Sequence, residues 1–135
     1  MTGQGGDTPI EHDRERALCS LADLEATGCR EFRVGSGEWP MKGFVVKVQD
    51  GVRAYVNRCA HVAYPLNYLP DRFLSYEGSM IQCYVHGALF EKSTGLCVAG
   101  PCEGLSLAPV PVCVVGDCVL LADGVDAEQM AARYA

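Results

Sequence analysis

The sequence lacks long hydrophobic runs and lacks an excess of positive charge. Its most apolar stretch, Val110 to Ala122, is interrupted by Pro111, Gly116 and Asp117, and it falls short of the roughly 20 apolar residues of a membrane helix. The chain has 11 Lys and Arg against 17 Asp and Glu, a formal net charge of −6. Binding to nucleic acid or to anionic membranes rests on basic patches, so we expect neither partner.

A secretory signal is also missing. Residues 1–16 are polar and of mixed charge, without the apolar segment that such a signal requires. We therefore predict a cytoplasmic protein, in which cysteines serve as metal ligands, reactive groups or buried apolar residues rather than as a disulfide framework. Eight cysteines have to be assigned in this way: Cys19, Cys29, Cys59, Cys83, Cys97, Cys102, Cys113 and Cys118.

The chain is predicted to form one domain with two appendages. Residues 1–16 are expected to be a flexible leader, residues 17–122 the folded domain, and residues 123–135 a C-terminal tail with a short helix capped by Asp126. A chain of 135 residues has the common size of a single domain with one core.

Short apolar segments separated by turn residues predict an all-β fold. Three turns join neighbouring segments into hairpins, at Asp50-Gly51, Thr94-Gly95 and Gly116-Asp117, and the last would place Cys118 opposite Val115. One helical turn is expected within Leu21 to Thr27, ending at Gly28. The eight predicted strands are Cys29 to Val34, Phe44 to Gln49, Val52 to Arg58, Met80 to Tyr84, Ala88 to Lys92, Leu96 to Val98, Val110 to Val115 and Cys118 to Ala122.

Two short motifs carry the candidate metal chemistry. They are Cys59-Ala60-His61 and Cys83-Tyr84-Val85-His86, and each opens a loop after a predicted strand. Two thiolates and two imidazoles fit either tetrahedral zinc or a two-iron cluster in which both histidines bind one iron. Zinc fingers usually group cysteine with cysteine, whereas each loop here offers one of each. The cluster is therefore favoured, and a zinc-stabilised interaction module stays open.

These motifs resemble those of the Rieske ferredoxins over roughly Ala17 to Ala122. Further matching residues are Pro65-Leu66, Gly87, Phe90, Thr94-Gly95 and Gly100-Pro101. The resemblance implies a Rieske fold, an antiparallel β-sandwich or barrel with a small cluster-binding subdomain. It implies one [2Fe–2S] cluster held by Cys59, Cys83, His61 and His86, with both histidines at an exposed tip and a third loop at Gly100-Pro101.

The same resemblance implies a low reduction potential. High-potential members carry an extra disulfide and hydroxyl donors, and the corresponding positions here are Tyr64, Val85, Ala88 and Phe90. We therefore expect a potential near the low end of the range of about −150 to +300 mV. Tyr84 is a further candidate donor of a hydrogen bond.

A one-electron carrier is thus predicted, passing electrons from an NAD(P)H-linked flavin reductase to a terminal oxygenase as a monomer or weak oligomer. The chain is not expected to be an enzyme, because His12 is the only histidine left for a second iron site and no glycine-rich nucleotide motif is present. The alternative is a small Rieske-fold subunit stably bound to a larger reductase, as in nitrite reductase.

Two features leave alternatives open. Twenty-one residues separate His61 from Cys83, a few more than is usual in Rieske ferredoxins. The extra residues lie in Asn67 to Ser79, which is either a packed insertion or part of a partner-docking surface. Cys97 and Cys102 bracket the third loop and are either core residues or a redox-active thiol pair. The remaining non-ligand cysteines are expected to fill the core.

Overall fold

A computed structural model describes residues 17–35, 40–59, 65–67, 71–75, 77–84 and 87–134. The predicted leader lies outside these residues. In chain order the elements are β1 (Cys19–Ser20), α1 (Leu24–Thr27), β2 (Cys29–Val34), β3 (Met41–Val48), β4 (Gly51–Val56), β5 (Ile81–Gln82), β6 (Leu89–Phe90), β7 (Cys97–Ala99), β8 (Val112–Val115), β9 (Cys118–Leu121) and α2 (Ala127–Tyr134).

The sheet formed by β2, β3 and β4 divides the interior into two cores, where the chain length predicted one. Side chains alternate between the two faces of a strand. On β3, Phe44 and Val46 therefore enter one buried cluster while Met41 and Val45 enter the other. Because both faces are covered, this strand is apolar along most of its length instead of alternating with polar residues.

A second sheet and the C-terminal helix cover one of these cores. The sheet has the order β1, β9, β8, and Val119 of β9 is fully buried in the core. Helix α2 begins where the Asp126 Oδ1 accepts hydrogen bonds from the backbone N–H groups of Glu128 and Gln129, at 2.9 and 3.1 Å. Ala131 of this helix is buried in the same core, so the helix is packed against the domain.

A third sheet, β5-β6-β7, lies at the other core. Its strands have only two or three residues, because the chain leaves the sheet at once into loops. Ile81 and Phe90 pair across it and are fully buried. This small sheet carries the loop between Cys83 and Ala88 and the loop that follows Ala99.

The antiparallel, mostly β architecture predicted from the sequence is confirmed. All eight predicted segments contain strands, and Val115 faces Cys118 across the Gly116-Asp117 turn as expected. The first hairpin differs by one residue: Val48 pairs with Gly51, so Gln49 and Asp50 form the turn. Strand β1 was not predicted, since two residues carry no periodic pattern. Within the described ranges, no helix has the length and hydrophobicity to cross a membrane.

Candidate metal centre

The two predicted cysteine ligands, Cys59 and Cys83, lie in the same hydrophobic core. Cys59 is 3% exposed and Cys83 is fully buried, and both belong to the core beneath β3. Cys59 follows the end of β4, and Cys83 directly follows β5. Separate strands therefore deliver one thiol each to the same core.

The predicted histidine ligands, His61 and His86, lie outside the described residues, as do Tyr64 and Val85. In the described part of the chain, no group of three or more potential metal ligands is found. That part contains two of the four predicted ligands, so the complete set remains a prediction from the motifs.

A buried asparagine closes the base of the first ligand loop. The Asn57 Oδ1 accepts the backbone N–H of Leu66 at 2.7 Å, and its Nδ2 donates to the Asn67 Oδ1 at 2.8 Å. Asn57 precedes the Cys59 motif and Leu66 follows it, so one side chain bridges the two ends of the loop. Asn57 is the one buried polar side chain in the described ranges. The sequence interpretation did not identify it.

This hydrogen-bond network continues into the central sheet. The Asn67 Nδ2 donates to the Glu31 Oε2 at 3.0 Å, and the same oxygen accepts the backbone N–H of Asp71 at 3.0 Å. The Asp71 Oδ1 in turn accepts the backbone N–H of Glu31 at 2.8 Å. Strand β2 is thereby attached to both the first loop and the segment after it.

The second ligand loop is closed by backbone hydrogen bonds and contacts the other two loops. The Cys83 N–H donates to the carbonyl of Ala88 at 2.9 Å, and the Tyr84 N–H donates to the carbonyl of Leu66 at 3.0 Å. Gly100 of the third loop has φ +104°, and a Cβ there would lie 2.8 Å from the Ala88 Cα. The second loop therefore adjoins both the first and the third loop.

The side chains of the second ligand loop bear on hydrogen bonding to the cofactor. Ala88 and Phe90 are fully buried and carry no hydroxyl. The Tyr84 hydroxyl, a further candidate donor, donates its proton to the carbonyl of Leu74 at 2.7 Å. Its hydrogen bond is thus made within the protein, and the suggestion that Tyr84 donates to the cluster is not supported.

Residues 71–75 of the segment between the two motifs pack against the core. The Phe73 ring is fully buried and stacks on Phe44 with ring centroids 4.2 Å apart and an interplanar angle of 10°. The Cys29 thiol donates to the carbonyl of Asp71 at 3.1 Å. Residues 68–70 and 76 lie outside the described ranges. The packed alternative is therefore supported for Asp71 to Ser75.

The other cysteines are free thiols. Cys19, Cys29 and Cys118 are buried, as predicted, whereas Cys113 is half-buried. Burial raises the pKa of the Cys19 thiol to about 11, with the nearby Asp23 carboxylate adding to the effect. Cys97 and Cys102 lie together in the core that contains Cys59 and Cys83.

Comparison with known proteins agrees with this arrangement. The family model for the Rieske [2Fe-2S] domain matches residues 16–114. A comparison with curated proteins finds no match. The ferredoxin of carbazole 1,9a-dioxygenase from Nocardioides aromaticivorans IC177 is 27% identical, with a TM-score of 0.60, covering 78% of this chain and 94% of that one.

Two further structures show the fold. The Sphingomonas yanoikuyae B1 ferredoxin is 23% identical, with a TM-score of 0.59, covering 79% of this chain and 96% of that one. The terminal oxygenase of carbazole 1,9a-dioxygenase from Novosphingobium sp. KA1 is 19% identical, with a TM-score of 0.62, covering 81% of this chain and 30% of that one.

The chain belongs to the Rieske [2Fe-2S] domain family. Its cofactor is one Rieske-type [2Fe–2S] cluster, so the zinc alternative is set aside. The described residues fit that cofactor, because two buried thiols from separate loops lie in one hydrophobic core. One iron of a Rieske centre takes two thiolates. The ferredoxin likeness identifies an electron-transfer component and not a catalytic subunit.

Proposed function

We propose that this protein carries single electrons from an NAD(P)H-linked flavin reductase to a terminal oxygenase, on a cluster held by Cys59, His61, Cys83 and His86. The observation that carries the proposal is the meeting of Cys59 and Cys83 in one core, each the first residue of a Cys-His motif. A structure that pairs an oxygenase with its ferredoxin, the carbazole 1,9a-dioxygenase complex, is 27% identical in the matched chain. It supports an oxygenase as the electron acceptor.

The protein's own part in electron transfer is to hold the ligands and exclude water. When bound, a Rieske cluster takes up and releases one electron at a time. Cys59 and Cys83 are at most 3% exposed, so solvent reorganisation around the thiolate side is small. The first loop is held by Asn57 and the second by its own backbone bonds. This support keeps the ligand positions nearly the same in both oxidation states.

A low potential follows from the surroundings of the second loop. Hydrogen bonds to cluster sulfurs stabilise the added electron and raise the potential. The side chains of Ala88 and Phe90 offer none, and the Tyr84 hydroxyl is bonded to Leu74. We therefore place the potential near the low end of about −150 to +300 mV, within reach of a flavin reductase.

The first test is spectroscopic and compositional. The protein purified without oxygen should contain two irons and two sulfides per chain, and it should give a rhombic electron paramagnetic resonance signal only after reduction with dithionite. Cys83→Ala should abolish the signal. Cys118→Ala is the matched control, since Cys118 is also a buried cysteine at 3% exposure but lies on β9. Loss of the cluster in both variants, or in neither, would contradict the ligand assignment.

The second test separates a carrier from a fixed subunit. Reduced protein is mixed rapidly with an oxidised terminal oxygenase of the carbazole 1,9a-dioxygenase type, and its visible spectrum is followed. A carrier reoxidises, and catalytic amounts sustain many turnovers with NADH and a reductase. Isolation only as a fixed-ratio complex with a larger reductase, without exchange, would favour the small-subunit alternative.

A further inference from the structure

Two thiols that the proposed ligand set does not use lie beside it. Cys97 and Cys102 are 2% and 1% exposed, and they belong to the same buried cluster as Cys59 and Cys83. The Cys102 Sγ lies 3.0 Å from the Cys97 Sγ in donor geometry. The pair brackets the third loop at Gly100-Pro101, with Cys97 on β7, and this loop contacts the second ligand loop at Ala88.

The proton of Cys97 is already committed. The Cys97 Sγ donates to the carbonyl of Ala99 at 3.2 Å, and a thiol has a single proton. Cys97 is therefore the acceptor in its contact with Cys102. The S–H group of Cys102 is the donor of this pair. Cys59 is the other cysteine that interacts with Cys102, and the two lie in the same core.

Cys102 stays protonated at neutral pH. A free thiol does so without any special environment. Its side chain is 1% exposed, and burial among apolar residues disfavours the charged thiolate further. The Cys102 thiol is thus a hydrogen-bond donor at neutral pH.

We propose that Cys102 donates its S–H hydrogen bond to the Cys59 sulfur in the cluster-loaded protein and thereby raises the reduction potential. The inference rests on the proposed role of Cys59 as a ligand. A ligating cysteine is a thiolate, and an anionic sulfur is a stronger acceptor than the neutral thiol of Cys97. Reduction adds negative charge to the site, so a donor at a ligand sulfur stabilises the reduced form more than the oxidised form.

The third loop holds this donor in place. The Gly104 N–H donates to the carbonyl of Cys97 at 3.1 Å, and the Leu105 N–H donates to the carbonyl of Cys102 at 2.9 Å. The Cys97 N–H donates in turn to the carbonyl of Leu105 at 2.8 Å. These bonds fix the Cys102 backbone relative to β7, so little ordering is needed when its S–H turns towards Cys59.

The test compares Cys102→Ala, Cys102→Ser and Cys118→Ala by redox titration of the loaded proteins. We expect Cys102→Ala to lower the reduction equilibrium constant about threefold, about 30 mV for one electron. Cys102→Ser keeps a donor and should have a potential at or above that of the wild type. Cys118→Ala should leave the potential unchanged, because Cys118 donates to Asp117 on the far hairpin.

Iron and sulfide counts in the same samples separate this inference from the proposed function. Cys102→Ala with a full cluster and an unchanged potential would overturn the inference and leave the carrier function intact. If Cys102→Ala loses the cluster, the potential of Cys102→Ser decides the question. A potential at or above the wild-type value supports a hydrogen bond from residue 102, and a lower potential overturns the inference. A wild-type protein without iron would overturn both.

Discussion

Replacing Asn57 by alanine should loosen the first ligand loop. The variant loses the acceptor for the Leu66 N–H and the donor to Asn67, bonds of 2.7 and 2.8 Å. Leu66 is fully buried, so its N–H cannot turn to water. An unsatisfied buried donor costs about 1–3 kcal/mol, and the second hydrogen bond adds about 1. Opening of the loop should therefore become about 2–4 kcal/mol easier.

The assay is the rate of cluster loss, followed as bleaching of the visible absorbance in excess iron chelator. If release proceeds through local opening, 2–4 kcal/mol corresponds to acceleration by about 30-fold to several hundred-fold. Asn57→Asp keeps an acceptor for the Leu66 N–H, so its rate of cluster loss should lie between those of the wild type and Asn57→Ala. Glu25→Ala is the control, since it removes an exposed ion pair with Lys47. An Asn57→Ala protein that bleaches at the wild-type rate would refute the reasoning.

Three further predictions concern the loops and the core. Gly100→Ala should lower the apparent Tm by several degrees more than Gly104→Ala, because both have positive φ but only Gly100 meets backbone at 2.8 Å; equal losses would contradict this. Ala88→Ser should raise the midpoint potential if residue 88 faces the cluster, and no shift would show that it does not. The pKa of the Cys19 thiol is about 11 in the folded protein against 9.0 in the unfolded chain. The free energy of unfolding is therefore undiminished below pH 9, and it falls by about 2–3 kcal/mol as the pH rises to about 11. Cys19→Ala should make the free energy of unfolding fall less steeply between pH 9 and pH 11. An unchanged pH dependence would show that Cys19 is not the group responsible.

Local patterns explain what could be predicted from the sequence. The Gly116-Asp117 turn determines the Val115 to Cys118 register because a two-residue hairpin loop leaves one pairing. The metal motifs are also local, since one or two residues separate each cysteine from its histidine. Alternation of apolar residues located the strands, although their ends were overestimated where the third sheet turns into loops. The overall class and the proposal of Cys59 and Cys83 as ligands follow from signals of this kind.

The support of the site was not predictable in the same way. Glu31 and Asp71 bond to each other across 40 positions, and neither belongs to a recognisable motif. Asn57 bonds to Leu66 nine residues away, and an asparagine at the end of a strand more often indicates a turn. Such contacts depend on how the insertion folds back on β2. A single sequence contains no periodic signal for that fold-back.

The surroundings of the two proposed cysteine ligands, Cys59 and Cys83, differ, and this difference bears on how the reduction potential is set. Near Cys83, the side chains of Ala88 and Phe90 offer no hydroxyl, and the Tyr84 hydroxyl is bonded to Leu74. Near Cys59, Cys102 offers a thiol, a weaker donor than a hydroxyl. A potential set by one weak donor should lie low in the Rieske range but above that of a site with no side-chain donor. Because the thiol acts at one ligand and Ala88 lies in the other loop, changes at these two positions should add nearly independently. Strong coupling between them would instead mean that the Gly100 contact with Ala88 transmits movement from one ligand loop to the other.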